Sequence, residues 1–446
     1  MPGALLTDLY ELNMAASYLR RGMTAPATFS LYVRSLPPER GFAVASGLGH
    51  CLDFLESFAF ESEELGYLGA IGFDDRALED FALVRFDGEV RAVPEGRIVH
   101  GEEPILEVTA PIAVAQLVET YLLNQVTLHT TLASKAARYV LAAEGRGLVD
   151  FSFRRTHGLE AAVAVARASA IVGFTATSNV EAARRWDLPV AGTMAHAFIE
   201  AFPTEEEAFR AFAEDHPDRT TFLVDTYDTA NGVRNAIETI EALSLTGEIG
   251  VRLDSGDLDH LARQARSLLD EAGLQRAKIF ASGGLDEHEV AELLHAGAPV
   301  DAFGIGTQMG VSADRPYLDT VYKLVEYDGR PAMKLSAAKA SPPGPKQVWR
   351  GPGEGGDLLA VAGEAGPGGW EPLLHTVMRE GRRVAEDPTI PEMRGLFTSD
   401  LEALPAKARR LAHPERVGVR HSDALRSLTA TTRRDALERA GLGGAG

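Results

Sequence analysis

The rhythm of apolar and polar positions changes twice along the chain. Up to about residue 110 it is mixed. Tyr10 to Arg20 reads as a helix, and Ala27 to Ser35 (ATFSLYVRS) alternates as a half-buried strand. Short β-prone pieces between Arg85 and Ala110 are separated by turn signals at Asp87-Gly88, Pro94-Glu95-Gly96 and Gly101 to Pro104, which predicts a small antiparallel sheet in an N-terminal α+β unit. From about Pro111 a long apolar-periodic helix leads to Leu148-Val149-Asp150-Phe151, the first buried strand of a series. Ile171 to Phe174, Val190-Ala191, Phe222 to Val224, Ile249 to Leu253, Ile279 to Ala281 and Ala302 to Phe303 follow as strands, with amphipathic stretches such as Glu287 to Ala296 in most gaps. This alternation predicts parallel β/α pairing, and barrel closure is its economical form. Past residue 320 the rhythm changes to a hairpin of Thr320 to Tyr327 with Ala332 to Leu335 around Asp328-Gly329-Arg330. Residues 341 to 369, crowded with Pro and Gly, read as loop, and Ser422 to Ala440 as a last helix. The expected division is an α+β domain over 1–110, a β/α barrel over 111–320 and a C-terminal segment over 321–446.

Composition narrows the function classes. A chain of 446 residues, 45% of them hydrophobic, can fill a large core. A formal net charge of −20 argues against nucleic acid or an anionic membrane surface as partner, although an acidic surface can carry a small basic pocket for phosphates. The single cysteine, Cys51, excludes an intramolecular disulfide framework and any multi-cysteine metal site. The start, MPGALLTDLYEL, lacks a basic region followed by an apolar stretch of signal length, and no apolar run approaches the roughly 20 residues of a membrane helix. A cytoplasmic protein is expected.

Candidate chemistry gathers where the predicted barrel strands end. Ser282-Gly283-Gly284 and Gly304-Ile305-Gly306-Thr307 follow the last two strands, where barrels hold phosphate because backbone N–H groups converge and glycine lets them approach. Packing or turn glycines are the other reading. VRLDSGDL crowds Arg252, Asp254, Ser255 and Asp257 at one loop mouth: the arginine suits an anion, the carboxylates suit ribose hydroxyls or hydrated Mg²⁺. A solvated turn with a helix cap at Ser255 or Asp257 would look the same. LVDTYDT adds Asp225, Tyr227 and Asp228, with the same ambiguity. VDFSFRRTHG places Arg154, Arg155 and His157 after Phe151, and VAGTMAHAF places His196 near Thr193. The chain has no Walker A pattern, no histidine pair at metal-site spacing and no strand-to-helix GxGxxG, so P-loop and dinucleotide folds are disfavoured.

Taken together, TDLYELNMAASY, DFSFRRTHG, ATSN, GTMAHAF, LVDTYDT, VRLDSGD, ASGGLDE and FGIGT resemble nicotinate phosphoribosyltransferases in order and approximate spacing, from Thr7 to beyond Thr307. The resemblance implies an α/β fold: an irregular β/α barrel with a mixed α+β domain built from N-terminal and C-terminal segments. It implies transfer from phosphoribosyl pyrophosphate to nicotinate, coupled to ATP hydrolysis and dependent on Mg²⁺, with direct metal ligands unassigned. By position, His196 would be phosphorylated by ATP, and Arg252 and Asp254 would act on the substrate pair. Ser282, Gly283, Gly284, Gly304, Gly306 and Thr307 would hold the 5′-phosphate. Phe151 and Arg154 would face the pyridine ring, and Tyr10 would arrive from the neighbouring subunit of a homodimer to stack on it. Arg155, Thr177, Ser178, Asp225, Ser255 and Asp257 complete the expected substrate contacts. Ser152 and Phe153 depart from the family's Gly and small or aliphatic residue, which bears on the backbone path beside Arg154.

Three other readings fit part of this pattern. Nicotinamide phosphoribosyltransferases share RxDSGD but resemble this chain less at Ser178, where they carry an aspartate that would repel a carboxylate. Quinolinate phosphoribosyltransferases are shorter and lack the ATP-linked histidine. A catalytically silent phosphosugar-binding relative would be expected to lose part of the charged set that is complete here.

Overall fold

Six short parallel strands carry most of the candidate residues at their C-terminal ends. The computed structural model describes residues 3–336, 341–352 and 356–442. The chain divides into two compact units, Met1–Thr131 with Tyr317–Gly446, and Leu132–Pro316. In the second unit, β1 (Gly147–Asp150), β2 (Ala176–Thr177), β3 (Arg219–Leu223), β4 (Glu248–Leu253), β5 (Lys278–Ala281) and β6 (Ala302–Ile305) form one sheet in the order β2-β1-β6-β5-β4-β3. The last strand returns beside the first, so the sheet curls as a barrel does. Val190 adds a single bridge to Thr177, and among the described residues nothing pairs that edge with β3. The barrel therefore has an open seam.

Helices between the strands follow the apolar period. Leu258–Glu271 buries Ala262, Ala265 and Leu269 on one stripe. Asn179, Asp228, Asp257 and Asp286 cap the helices that leave β2, β3, β4 and β5, each accepting a hydrogen bond from a backbone N–H of the first turn.

The expected strand at Ile171 to Phe174 is a correction. Ile171 and Val172 end the helix Leu159–Val172, which Gly173 terminates at φ 118°, and the strand follows at Ala176–Thr177. That helix buries every residue from Ala162 to Val172, so its end shows no polar face and imitates a buried strand.

In the first unit, Pro26–Val33 lies between Thr320–Tyr327 and Pro104–Pro111, antiparallel to both, in a seven-stranded sheet that also takes in Glu89–Ala92 and His375–Arg379. N-terminal and C-terminal segments thus share one sheet, and Phe29 stacks on Tyr322 with ring centres 4.7 Å apart. Pro26–Val33 is buried along its length except at Pro26, not half-buried as its alternation suggested. Its polar positions are satisfied internally: Thr28 meets the Thr109 hydroxyl at 2.9 Å, the Ser30 hydroxyl donates to Glu107 at 2.6 Å, and Tyr32 meets Ser341.

Three further expectations shift. The boundary near residue 110 falls at Thr131, because Ile112–Leu117 and the first part of Glu119–Ala142 place Leu117, Leu122 and Val126 in the first unit's core. Thr320–Tyr327 pairs back only with Arg330–Pro331, and Ala332 to Leu335 forms no strand, since Pro331 cannot donate to a continued ladder. Within 341–369, Lys346–Arg350 and Asp357–Val361 pair as strands of a four-stranded sheet; the Pro and Gly residues flank them as turns, and positions 353–355 lie outside the described residues.

Candidate active site

Arg252 is the pivot of the site. It is the penultimate residue of β4, side by side with Phe280 on β5 and Leu223 on β3. Its Nε donates to Ser282 Oγ at 2.8 Å, one terminal nitrogen to Thr193 Oγ1 at 3.2 Å, and the other to Asp254 Oδ1 at 2.5 Å. Each terminal nitrogen retains one N–H for an incoming anion. The Ser282 hydroxyl also donates to Asp254 Oδ1 at 2.5 Å. Desolvation pushes the Asp254 carboxyl up, but Ser282, Arg252 and His196 outweigh it and hold it below its ordinary value of 3.8. Asp254 is thus a fixed negative charge at neutral pH.

Asp225, after β3, organises the same loop from the other side. Its Oδ2 accepts the Asp254 N–H at 3.0 Å and the Ser255 hydroxyl at 2.6 Å. Its Oδ1 is buried and meets no hydrogen-bond donor among the described residues. His196 opens the short helix His196–Glu200; its Nδ1 lies 3.1 Å from Thr226 Oγ1, and its Nε2 faces Asp254 Oδ2 at 3.9 Å. The ring is 41% exposed, so a nitrogen held by a hydroxyl on one side leaves the other side open to a reactant.

Next to this polar layer is a cavity of about 630 Å³ at the open seam, lined by Phe151, Thr193, Phe212, Thr221, Phe280 and the segment from Asp215 to Arg219 among others. Barrel interiors are ordinarily filled by branched side chains. Here Phe280 is in register with Ala302 and, beyond it, Gly147, while Thr221 is in register with Gly250, and these small residues leave room. Phe151 and Phe280 lie 5.7 Å apart, and the Arg252 guanidinium sits over the Phe151 ring at 5.3 Å. An anionic, flat molecule finds both an aromatic wall and a cation here.

Other expected residues divide by their actual surroundings. Gly283 has φ +111°, and a side chain there would meet the Asp254 carbonyl oxygen at 2.0 Å, so the close backbone approach of the first glycine loop is real. Gly284 and Thr307 are exposed, and Gly306 caps the short helix Thr307–Gly310. Gly304 differs. It lies within β6, and a Cβ would meet the Phe151 and Phe280 rings at 2.7 and 2.8 Å, so it makes room for aromatics. Thr177 is buried and donates its hydroxyl to Asp150 at 2.7 Å, which withdraws it from a ligand. The paired Asp150 is held above the ordinary carboxylate range by burial, against the opposing hydrogen bonds of Ser152 and Thr177. Asp257 is a cap, accepting from His260 at 3.1 Å. Arg154, Arg155 and His157 are exposed on the turn after β1, and Ser178 is half-buried after β2. Tyr10 belongs to the other unit, 48% exposed on the helix Leu9–Arg20.

Sequence reasoning missed Phe280, Thr193's bond to Arg252 and Thr226. A period-two count from Ser282 back along β5 would have found Phe280 on the site's face. No sequence signal pairs Thr226 with His196 across thirty positions.

Comparison with known proteins agrees with this architecture. Residues 5–127 match the nicotinate phosphoribosyltransferase N-terminal domain, 147–344 the nicotinate phosphoribosyltransferase family, and 366–429 the nicotinate phosphoribosyltransferase C-terminal domain. A nicotinate phosphoribosyltransferase of Mycobacterium tuberculosis is 48% identical over 92% of this chain and 89% of its own. One from Bacillus subtilis is 43% identical over 78% of this chain and 73% of its own. The crystal structure of human nicotinic acid phosphoribosyltransferase superposes with a TM-score of 0.86 at 28% identity, covering 95% of this chain and 99% of that one. The chain belongs to the nicotinate phosphoribosyltransferase family.

Proposed function

We propose that this protein joins nicotinate to the ribosyl group of phosphoribosyl pyrophosphate, giving nicotinate mononucleotide and pyrophosphate in NAD biosynthesis. The observation that carries this reading is Arg252 locked by Ser282, Thr193 and Asp254 beside the Phe151 ring, at the mouth of glycine loops that can receive a phosphate. The pyridine nitrogen attacks the anomeric carbon while the bond to pyrophosphate breaks and its electron pair leaves with that group. The developing ribosyl cation is met by Asp254, the leaving anion by Arg252, and binding supplies the alignment. Ser178 favours the acid, because a hydroxyl does not repel the nicotinate carboxylate as an aspartate would.

The finer reading includes ATP, Mg²⁺ and a homodimer. ATP would pass its terminal phosphoryl group to an imidazole nitrogen of His196, releasing ADP, and the phosphoimidazole would later be hydrolysed. The ring's exposure and its bond to Thr226 support this role. Among the described residues no cluster of three or more acidic, histidine or cysteine side chains is arranged for a metal. The unpartnered Asp225 oxygen and Asp254 still fit Mg²⁺, which commonly uses one or two carboxylates with waters and substrate phosphates. Mg²⁺ bound there would neutralise pyrophosphate charge. Tyr10 would complete the pyridine site of the second subunit, stacking on the ring from across the interface.

The test is direct. Pure protein is incubated with phosphoribosyl pyrophosphate, Mg²⁺ and either nicotinate or nicotinamide, with and without ATP, and the mononucleotide is identified. Nicotinate should be strongly preferred; comparable turnover of nicotinamide, or no mononucleotide at all, overturns the reading. With γ-labelled ATP, wild type should carry an acid-labile label that His196→Asn lacks, while slow ATP-independent transfer survives in the variant. A label that persists in His196→Asn removes the phosphohistidine.

A further inference from the structure

We propose that Lys135 is a positioning residue that ties the two glycine loops to each other and so sets the width of the phosphate cradle; this rests on the reading of those loops as the 5′-phosphate site. Lys135 lies on the helix Glu119–Ala142 and is 2% exposed. Its ammonium nitrogen is 2.5 Å from Glu287 Oε2 and 2.9 Å from Asp314 Oδ1. Glu287 opens the helix directly behind Ser282-Gly283-Gly284. Asp314 lies in the turn that follows the short helix Thr307–Gly310, which Gly306 and Thr307 open. One buried cation therefore reaches the segments that follow both loops.

Charge neutralisation alone does not account for it. Glu287 Oε1 already accepts from Arg138 Nε at 2.6 Å, so this carboxylate has a cation without Lys135. Desolvation pushes the Glu287 carboxyl up, and Lys135 and Arg138 outweigh it to hold the group below its ordinary value. A buried amine is costly to desolvate, and an apolar side chain would fill the same space at lower cost. What the second cation adds is the bridge from Glu287 to Asp314. The same helix also anchors the first loop through Tyr139, whose hydroxyl donates to the Leu285 carbonyl at 3.2 Å. The anchor is rigid, because both loops hang from adjacent turns of one helix.

The experiment uses the full chain and two probes, ribose 5-phosphate and inorganic pyrophosphate, titrated calorimetrically. Asp314→Asn cuts one arm of the bridge at a partly exposed position and leaves Glu287 paired. It should weaken ribose 5-phosphate about tenfold while pyrophosphate changes by less than about twofold, and the KM for phosphoribosyl pyrophosphate should rise with little change in kcat. Lys135→Met should do the same or more, and Lys135→Arg should restore most of the loss. If Lys135→Met does not fold, Asp314→Asn decides. Unchanged ribose 5-phosphate binding in Asp314→Asn, or equal weakening of both probes, overturns the proposal. If wild type binds pyrophosphate but not ribose 5-phosphate, the reading of the loops fails and the proposal falls with it.

Discussion

Asp254 accepts from Arg252 and Ser282 and faces His196, so an arginine, a hydroxyl and an imidazole meet at one carboxylate. Asp254→Asn keeps the volume and removes the charge, so steady-state turnover should fall more than about tenfold, about 1.4 kcal/mol of barrier. Unchanged turnover would reduce the residue to a turn-former. Its folded pKa lies below the ordinary 3.8, so its ion pair is fully present above the unfolded carboxyl value and is lost only as pH falls through the lower folded value. A pH–rate profile between about pH 7 and about pH 5 should therefore show no loss from this group. Gly304 supplies a second check at this scale. Gly304→Ala sets a methyl against the rings of Phe151 and Phe280, so the KM for nicotinate should rise before the KM for phosphoribosyl pyrophosphate does. The reverse order in the two constants would return Gly304 to the phosphate site.

The helices hold the catalytic loops by approaching the strands very closely. Gly232, on the helix Thr229–Ala242, would place a Cβ 2.2 Å from the Val224 carbonyl oxygen at the end of β3. Backbone cannot yield there as a flexible side chain would. Gly232→Ala should destabilise the protein by about 1–3 kcal/mol in urea melts and displace Asp225 and Thr226, lowering activity further than the stability loss explains. An alanine variant as stable and active as wild type would show that the helix can move outward freely. The caps Asp228, Asp257 and Asp286 share this task, which is why acidic residues crowd these loops even where no ligand is met.

At the scale of the molecule, the proposed homodimer is tested by complementation. Tyr10→Ala subunits should need more nicotinate, since a stacked ring contributes roughly 0.5–1.5 kcal/mol beyond its buried area. Mixing Tyr10→Ala with Arg252→Ala subunits under conditions of exchange should regenerate some intact sites and return activity. Demonstrated exchange without recovery, or an active monomer at assay concentration, rules out shared sites. No helix among the described residues is long and apolar enough to cross a membrane.

The sequence by itself determined the β/α rhythm and the strand ends that carry the chemistry, because buried strands are short apolar runs and a glycine or polar residue follows each within a position or two. VRLDSGDL and ASGGLDE could be read directly for that reason: each is local, and Gly283 signals its own close approach. The helix Leu159–Val172 was misread at its end because a helix buried all round has no polar face to show its period. Pro26–Val33 was misread for the opposite reason, its polar positions being satisfied by Glu107, Thr109 and Ser341 from distant segments. Only the tertiary structure decided which hydroxyls and glycines serve ligands. Thr177 is taken by Asp150, Gly304 by two aromatic rings and Asp257 by its helix, while Thr193 and Thr226 enter the site through bonds to Arg252 and His196 that nothing local signals. Such roles are set by what lies across the fold, and a one-dimensional pattern does not contain those neighbours.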